Sequence, residues 1–349
     1  MKKKVIFFIP SRCGGAERVS ITISKCLPDS DFDILYHLFG DINQMAPFLP
    51  PQRTTIWHIK KNHVVDFLMI AKKVIKEEKP NVVFASQMPL NWRLALAALG
   101  QRVKLILRSN NYIETQNFLQ KIRLSIAYNL ADVVIAQTEE MRQGIVKKLF
   151  VPNKKVLTLP NPIDREYIDC CVCCTSKPYS ADTINYVAVG RLNPVKGFDI
   201  LIEAFAKVKS KQPKAKLSII GRYDDASDYF KKLHDLVVSL SLADCITFEG
   251  FKENPYSYMK YADCYVLSSR NEGLPNVMLE SLYLGTPVAA ANCVPVIGRI
   301  INNGVNGFIA ETENPKSLAE AMLNASALGR ISSGYKETNE SDFIKLFSL

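Results

Sequence analysis

The chain has 349 residues, of which 48% are hydrophobic and 22% charged. That balance fits an ordinary folded protein and a length that calls for two cores rather than one. No run reaches the roughly 18 consecutive apolar residues of a membrane-spanning helix. The formal net charge of +10 is unevenly placed. Met1 to Arg165 holds 25 Lys and Arg against 13 Asp and Glu, and Glu166 to Leu349 holds 19 against 21. All the excess positive charge therefore lies in the first half, which points to a polyanionic partner there, either nucleic acid or an anionic membrane face, although ordinary solubility charge would give the same count.

The opening MKKKVIFFIP has the charge of a secretory leader, but its apolar run stops at Pro10, so it reads as a first buried strand. Apolar β-branched runs then alternate with amphipathic stretches: KVIFFI with AERVSITISKCL, DFDILYHL with VVDFLMIAKKVIKEE, NVVFAS with NWRLALAAL, VKLILRS with NFLQKIRLSIAYNL, and DVVIAQ with EEMRQGIVKKLF. Such βα repetition predicts a parallel sheet covered on both faces. VLTLPNPIDREY and the Cys- and Ser-rich stretch after it break the pattern. Within that stretch CCVCC, Cys170 to Cys174, lacks the spacing of common zinc sites and has no nearby His, and it reads as free thiols on a loop.

The alternation restarts at INYVAVG and continues through GFDILIEAFAKVKS, AKLSIIG, DYFKKLHDLVVSL, CITFEG, PYSYMKYA, DCYVLSS and NVMLESLYLG to PVAAA, GFIA and NPKSLAEAML. The expected fold class is α/β, with two doubly wound Rossmann-like domains facing a cleft. The first spans residues 1–160, a linker and variable loop 161–183, the second domain 184–330, and a tail helix falls in 331–349, packing back on the first domain.

Open parallel sheets bind ligands beyond the carboxyl ends of their strands, and three segments there carry chemistry. SRCGGAERVS follows the first strand, where Gly14 and Gly15 let backbone amides approach an anion at a helix start. A tight turn would use the same glycines. VGRLNPVKGFDIL places Arg191 and Lys196 between two glycines before a helix, an arrangement suited to a pyrophosphate. SSRNEGLPNVMLESLYLG puts Glu272 before a helix start and Glu280 one turn inside it. An ionised carboxylate accepts from sugar hydroxyls, although Glu272 would also stabilise a helix dipole and Glu280 would also serve as a plain surface residue.

Taken together, GGAERV, LPNPID, VGRLNPVKGFDILIEAF and SSRNEGLPNVMLESLYLGTPVAA resemble the retaining nucleotide-sugar glycosyltransferases of GT-B fold, in glycosyltransferase family 4 (glycosyl transferases group 1). The spacing of Glu272 and Glu280 is that family's signature. The resemblance implies that Arg191 and Lys196 grip the donor diphosphate and that Glu280 binds the ribose hydroxyls. It implies that Glu272 holds the transferred sugar, beside the amides of Gly273, Leu274, Pro275 and Asn276, and that Gly15 approaches the phosphates. Glu272, Arg191 and Lys196 are thus the catalytic candidates. The family needs no bound metal or other cofactor, and a UDP-sugar is the expected donor substrate.

Two segments depart from the family. LRSNNYIE carries no His where many members have one, which leaves Arg108 and Asn110 as acceptor-side candidates. NCVPVIGRII replaces a Gly-Pro-x-Glu-like run. The expected function is transfer from a nucleotide-sugar to a glycan acceptor, lipid-linked, in bacterial-type surface polysaccharide or glycolipid synthesis. The chain would work in the cytoplasm, peripheral at the inner face of the membrane, with its basic half against the lipid. The alternatives are a sugar-nucleotide epimerase or phosphorylase of the same fold, or an inactive sugar-nucleotide binder. Aromatic residues are not interleaved with basic runs, which argues against nucleic acid as the partner.

Overall fold

A computed structural model describes residues 2–12, 14–40, 43–58, 65–173, 176–332 and 340–348. The chain forms two compact units, Met1–Ile163 with Glu337–Leu349, and Asp164–Lys336.

The first unit holds strands β1 (Lys3–Pro10), β2 (Phe32–Phe39), β3 (Thr54–His58), β4 (Val82–Ala85), β5 (Lys104–Arg108), β6 (Val133–Ala136) and β7 (Val156–Thr158). Its helices are α1 (Gly15–Lys25), α2 (Val65–Glu78), α3 (Met88–Ala98), α4 (Phe118–Leu130) and α5 (Glu139–Leu149). The strand order is β3-β2-β1-β4-β5-β6-β7, and every pairing is parallel. Strand β1 lies inside the sheet, so Val5 to Ile9 are all buried. This is why the strand reads as an unbroken apolar run rather than an alternation. Strand β3 is an edge strand, and Thr54 to Trp57 are exposed. Lacking an apolar run, it escapes a reading by pattern.

The second unit begins with α6 (Arg165–Cys173). Strands β8 (Ile184–Val189), β9 (Ala215–Ile220), β10 (Ile246–Gly250), β11 (Cys264–Leu267), β12 (Val288–Ala291) and β13 (Gly307–Ala310) follow. Its other helices are α7 (Phe198–Lys211), α8 (Asp228–Ser239), α9 (Tyr256–Tyr261), α10 (Asn276–Tyr283), α11 (Ile297–Ile300) and α12 (Pro315–Ser326). The order is β10-β9-β8-β11-β12-β13, again all parallel. The buried hydroxyl of Tyr186 on β8 bonds Gln212 at 2.7 Å and Ser326 at 2.8 Å, as a buried phenol requires.

Two expectations change. The segment placed in a linker and loop, 161–183, contains helix α6, and the division between units falls between Ile163 and Asp164. Cys170, Cys171 and Cys173 are therefore helical, while Cys174 lies outside the described residues. The helix hides from a periodicity reading because it buries only Ile168. It is otherwise held by Tyr283 Oη donating to Asp169 at 2.7 Å and by the edge-on contact of Tyr167 with Tyr256 at 6.2 Å. The tail helix expected within 331–349 is present as α13, Glu340–Ser348. It lies on the first sheet, with Phe347 stacked on Phe7 at 5.8 Å and Lys104 Nζ bonding the Leu346 carbonyl at 2.8 Å.

Candidate active site

In each sheet the strand order reverses at one point, next to β1 and β4 in the first and next to β8 and β11 in the second. Loops leaving adjacent strands at such a reversal diverge to opposite faces and open a crevice. The second unit places Arg191 and Lys196 on the loop after β8 and Glu272 on the loop after β11, both at this reversal.

Chain geometry makes the first of these loops tight. Asn193 caps a 3-10 turn over Pro194–Lys196 by accepting from the Lys196 amide at 3.2 Å. Gly197 then adopts φ +63° between the turn and α7, and a Cβ there would sit 2.1 Å from the Ser268 carbonyl oxygen. Only glycine satisfies both demands. The methylenes of Lys196 lie over Gly190, about where that glycine's Cβ would make contact at 3.4 Å.

Lys196 Nζ reaches Glu272 Oε1 at 2.6 Å, and Ser269 Oγ donates to the same oxygen at 2.7 Å. The two residues expected to hold different parts of a donor thus hold each other. The Glu272 side chain is 11% exposed, so without the lysine it would be a nearly buried charge. Arg191, by contrast, is exposed and makes no ion pair or side-chain hydrogen bond among the described residues. Leu274 and Pro275 are buried, Pro275 occupies the N-cap position of α10, and Asn276 opens the helix, with Gly273 one residue earlier in the loop. Glu280 follows one turn later. Its charge and that of Glu272 reach Tyr265, whose hydroxyl is pushed well above its ordinary pKa by burial first and by these two carboxylates next. Both carboxylates therefore lie within electrostatic reach of Tyr265 on β11.

Sequence reasoning missed the group that ties the two loops together. Arg270 donates to Asp199 through a fork at 2.9 and 2.8 Å, to the Pro194 carbonyl at 2.6 Å and to Glu313 at 2.9 Å. Its amide donates to the Val195 carbonyl at 2.8 Å, and Ser268 Oγ donates to the Lys196 carbonyl at 2.9 Å. Burial alone would raise the Asp199 carboxyl, but the Arg270 guanidinium overrides it and holds the group below the usual range. The one available signal was an Arg two residues before Glu272 and an Asp three after Lys196. Nothing in a linear reading joins positions so far apart. Cys293, in the segment that departs from the family, also lies near: burial pushes its thiol up to about 12, and Glu272 adds to the shift.

The first unit carries the remaining candidates. Gly15 is exposed and begins α1, after Gly14 at the N-cap. The first-turn carboxylate of that helix, Glu17, is buried and accepts from Gln87 Nε2. Arg108, one of the two acceptor-side candidates, is buried. Its guanidinium donates to Asn110 Oδ1 at 2.6 Å and to Asn161 Oδ1, while Asn110 Nδ2 bonds the Ser86 carbonyl. Burial without a carboxylate partner lowers the Arg108 pKa to about 9. The residue acts on its surroundings by fixing half-buried Asn110 and the Asn161 of LPNPID.

Comparison with known proteins bears on these two sets of residues. Residues 178–337 match the family model of glycosyl transferases group 1, and residues 13–167 match that of glycosyltransferase family 4. An uncharacterized glycosyltransferase of Methanocaldococcus jannaschii is 30% identical over 247 residues, 63% of this chain and 58% of that relative, so the match spans less than two thirds of its length. The N-acetylgalactosamine-N,N'-diacetylbacillosaminyl-diphospho-undecaprenol 4-alpha-N-acetylgalactosaminyltransferase of Campylobacter jejuni is 24% identical over 96% of this chain and 93% of its own. Among solved structures, HepE of Anabaena in complex with UDP superposes with a TM-score of 0.79 at 19% identity, covering 99% of this chain and 98% of that one. The fold is therefore GT-B.

Proposed function

The chain belongs to the group 1 glycosyltransferases, and from that premise we propose that it moves a hexose from a nucleotide-sugar, a UDP-sugar, to a lipid-linked glycan acceptor. The proposal includes retention at the anomeric carbon, no bound metal, and a place at the cytoplasmic face of a membrane in surface polysaccharide or glycolipid synthesis. The observation that carries it is the Lys196–Glu272 pair at the carboxyl ends of β8 and β11. It sets a cation and a carboxylate side by side where a Rossmann-like sheet receives a ligand.

In the proposed reaction the diphosphate departs as negative charge builds on it. Lys196 and Arg191 stabilise that charge in place, and the amides at the start of α10 add to their effect. Glu272, released from Lys196 by the incoming phosphate, turns its oxygens to the hydroxyls of the transferred sugar, and Glu280 accepts from the ribose. The roles that the family resemblance implies for Gly15, at the phosphates, and for Asn110, on the acceptor side, are kept in the proposal, with Arg108 fixing Asn110. The UDP donor is supported by the UDP complex of HepE, and the lipid-linked acceptor by the name of the Campylobacter relative.

The test is a thermal-shift panel of UDP-, GDP- and ADP-sugars followed by transfer assays with the stabilising donor, since a bound ligand raises stability with its affinity. Lys196→Ala should fold and lose about a hundredfold or more in turnover, the cost of removing one preorganised charge. Near-normal turnover in that variant refutes the role of Lys196. Conversion of the donor sugar without transfer would move the assignment to an epimerase.

A further inference from the structure

Helices α3 and α4 carry an unusual surface. Between Met88 and Leu130 the chain has six Lys and Arg and a single acid, Glu114, and neither helix contains an Asp or Glu. Glu114 is itself paired with Lys148 at 2.5 Å. On α4, Leu119, Ile122, Ile126 and Leu130 recur at spacings of three and four, a single helical face. The face is nevertheless turned to solvent: Phe118 is 76% exposed, Leu119 62% and Ile126 50%. On α3, Trp92 and Leu96 are four apart, and the C-cap Leu99 is 61% exposed. A helix that spends its apolar face on solvent usually has another occupant for it. The helix itself is firmly set, since Asn117 and Gln120 form a reciprocal capping box at its start.

The two helices are joined by charge as well as by packing. The guanidinium groups of Arg93 and Arg123 each lie 5.4 Å from the Trp92 ring centroid. Two like charges on one ring repel, and among the described residues neither pairs with a carboxylate. Arg93 Nε is buried without a hydrogen-bond partner. Among the described residues two cations thus gather around an aromatic ring without a counter-charge, an arrangement suited to an anion from outside.

We infer that this α3/α4 face is a docking surface for an anionic lipid bilayer. Lipid phosphates sit between Arg93 and Arg123, Trp92 lies at headgroup level, and Phe118, Leu119, Ile122 and Ile126 enter the acyl boundary. The charge pattern selects this occupant over a second copy of the chain, because a two-fold pairing would set one acid-free basic face against itself. It also selects lipid over nucleic acid, for which the exposed leucines and isoleucines offer nothing. The inference deepens the proposed membrane-side function and rests on it for the existence of a lipid partner, while sugar transfer itself does not depend on it.

The experiment is co-sedimentation of the full chain with vesicles of phosphatidylcholine alone and with vesicles enriched in phosphatidylglycerol. The variants are Arg93→Gln/Arg123→Gln, Phe118→Ser/Ile122→Ser, and a control, Lys207→Gln/Lys211→Gln on α7. The wild type and control should bind the anionic vesicles and be released by salt. The arginine double variant should bind about thirtyfold more weakly, the expected effect of two lost surface charges. The Phe118/Ile122 variant should also lose binding, with an unchanged melting temperature. If both variants bind as the wild type does, this surface is wrong and membrane association lies elsewhere. If the wild type ignores anionic vesicles, both this inference and the membrane part of the proposed function fall. A lipid-free dimer that Phe118→Ser/Ile122→Ser dissociates would reassign the face to self-association.

Discussion

Arg270→Gln offers the sharpest test of how the candidate site is built. The substitution removes the fork to Asp199, whose side chain is 15% exposed, and the bond to the Pro194 carbonyl. The charged pair contributes about 2 kcal/mol and the carbonyl bond about 1 kcal/mol. The contact to Glu313, on a side chain 63% exposed, is counted as nothing. The second unit should therefore lose about 3 kcal/mol, read from urea unfolding of the full chain. The functional effect is separate. Without its staple the Pro194–Lys196 turn no longer holds Lys196 against the β11 loop, and a misplacement near 1 Å costs about a hundredfold in rate. At a temperature well below unfolding, transfer should fall by that factor. Arg270→Lys should regain part of the rate, because it restores the bond to Pro194 without the fork. If Arg270→Gln loses the stability and still turns over like the wild type, Lys196 is positioned by something other than this network.

Two further outcomes follow from the geometry. Gly197→Ala forces φ +63° on a side chain whose Cβ meets the Ser268 carbonyl, so it should lower unfolding stability by about 2 kcal/mol or more and weaken nucleotide diphosphate binding in calorimetry. Normal stability and binding would show that the loop yields. His37, buried and bonded to His58 at 2.9 Å, has its pKa lowered to about 4 by burial first and the second imidazole next. The unfolded chain takes up a proton near 6.5 that the folded chain resists, so stability is full above that pH and declines toward 4, by up to about 3 kcal/mol. Urea midpoints at about pH 7 and pH 5 should differ in the wild type and converge in His37→Gln, and an unchanged slope in that variant would exonerate the histidine.

What could be read from the residues alone divides along a physical line. The interior strands β1, β8 and β11 were legible because burial on both faces demands unbroken apolar runs, and the helices between them because they bury one stripe. Arg191, Lys196, Glu272 and Glu280 were legible as a set because strand ends and helix starts can be located in one dimension. Edge strand β3 was not, since half-exposed backbone pairing imposes no hydrophobic code. Helix α6 was not, since one buried Ile168 sets no period. The Lys196–Glu272 bond and the Arg270 staple depend on which loops become neighbours, a fact of sheet order that side-chain spacing does not encode. The burial of Arg108 was hidden for a related reason: an arginine at the end of a strand looks like a surface group until Asn110 and Asn161 are seen to hold it.

The C-terminal helix α13 belongs to the first sheet although the whole second unit lies between them in the chain. During synthesis the earlier unit must wait, its Phe7 and Phe84 uncovered by Phe347, until residues 340–348 have left the ribosome. The later unit is under no such delay, because all its strands are contiguous and each can pair with a strand already made as it emerges. The half made first is thus finished last, and the order of maturation in this protein runs opposite to the order of translation.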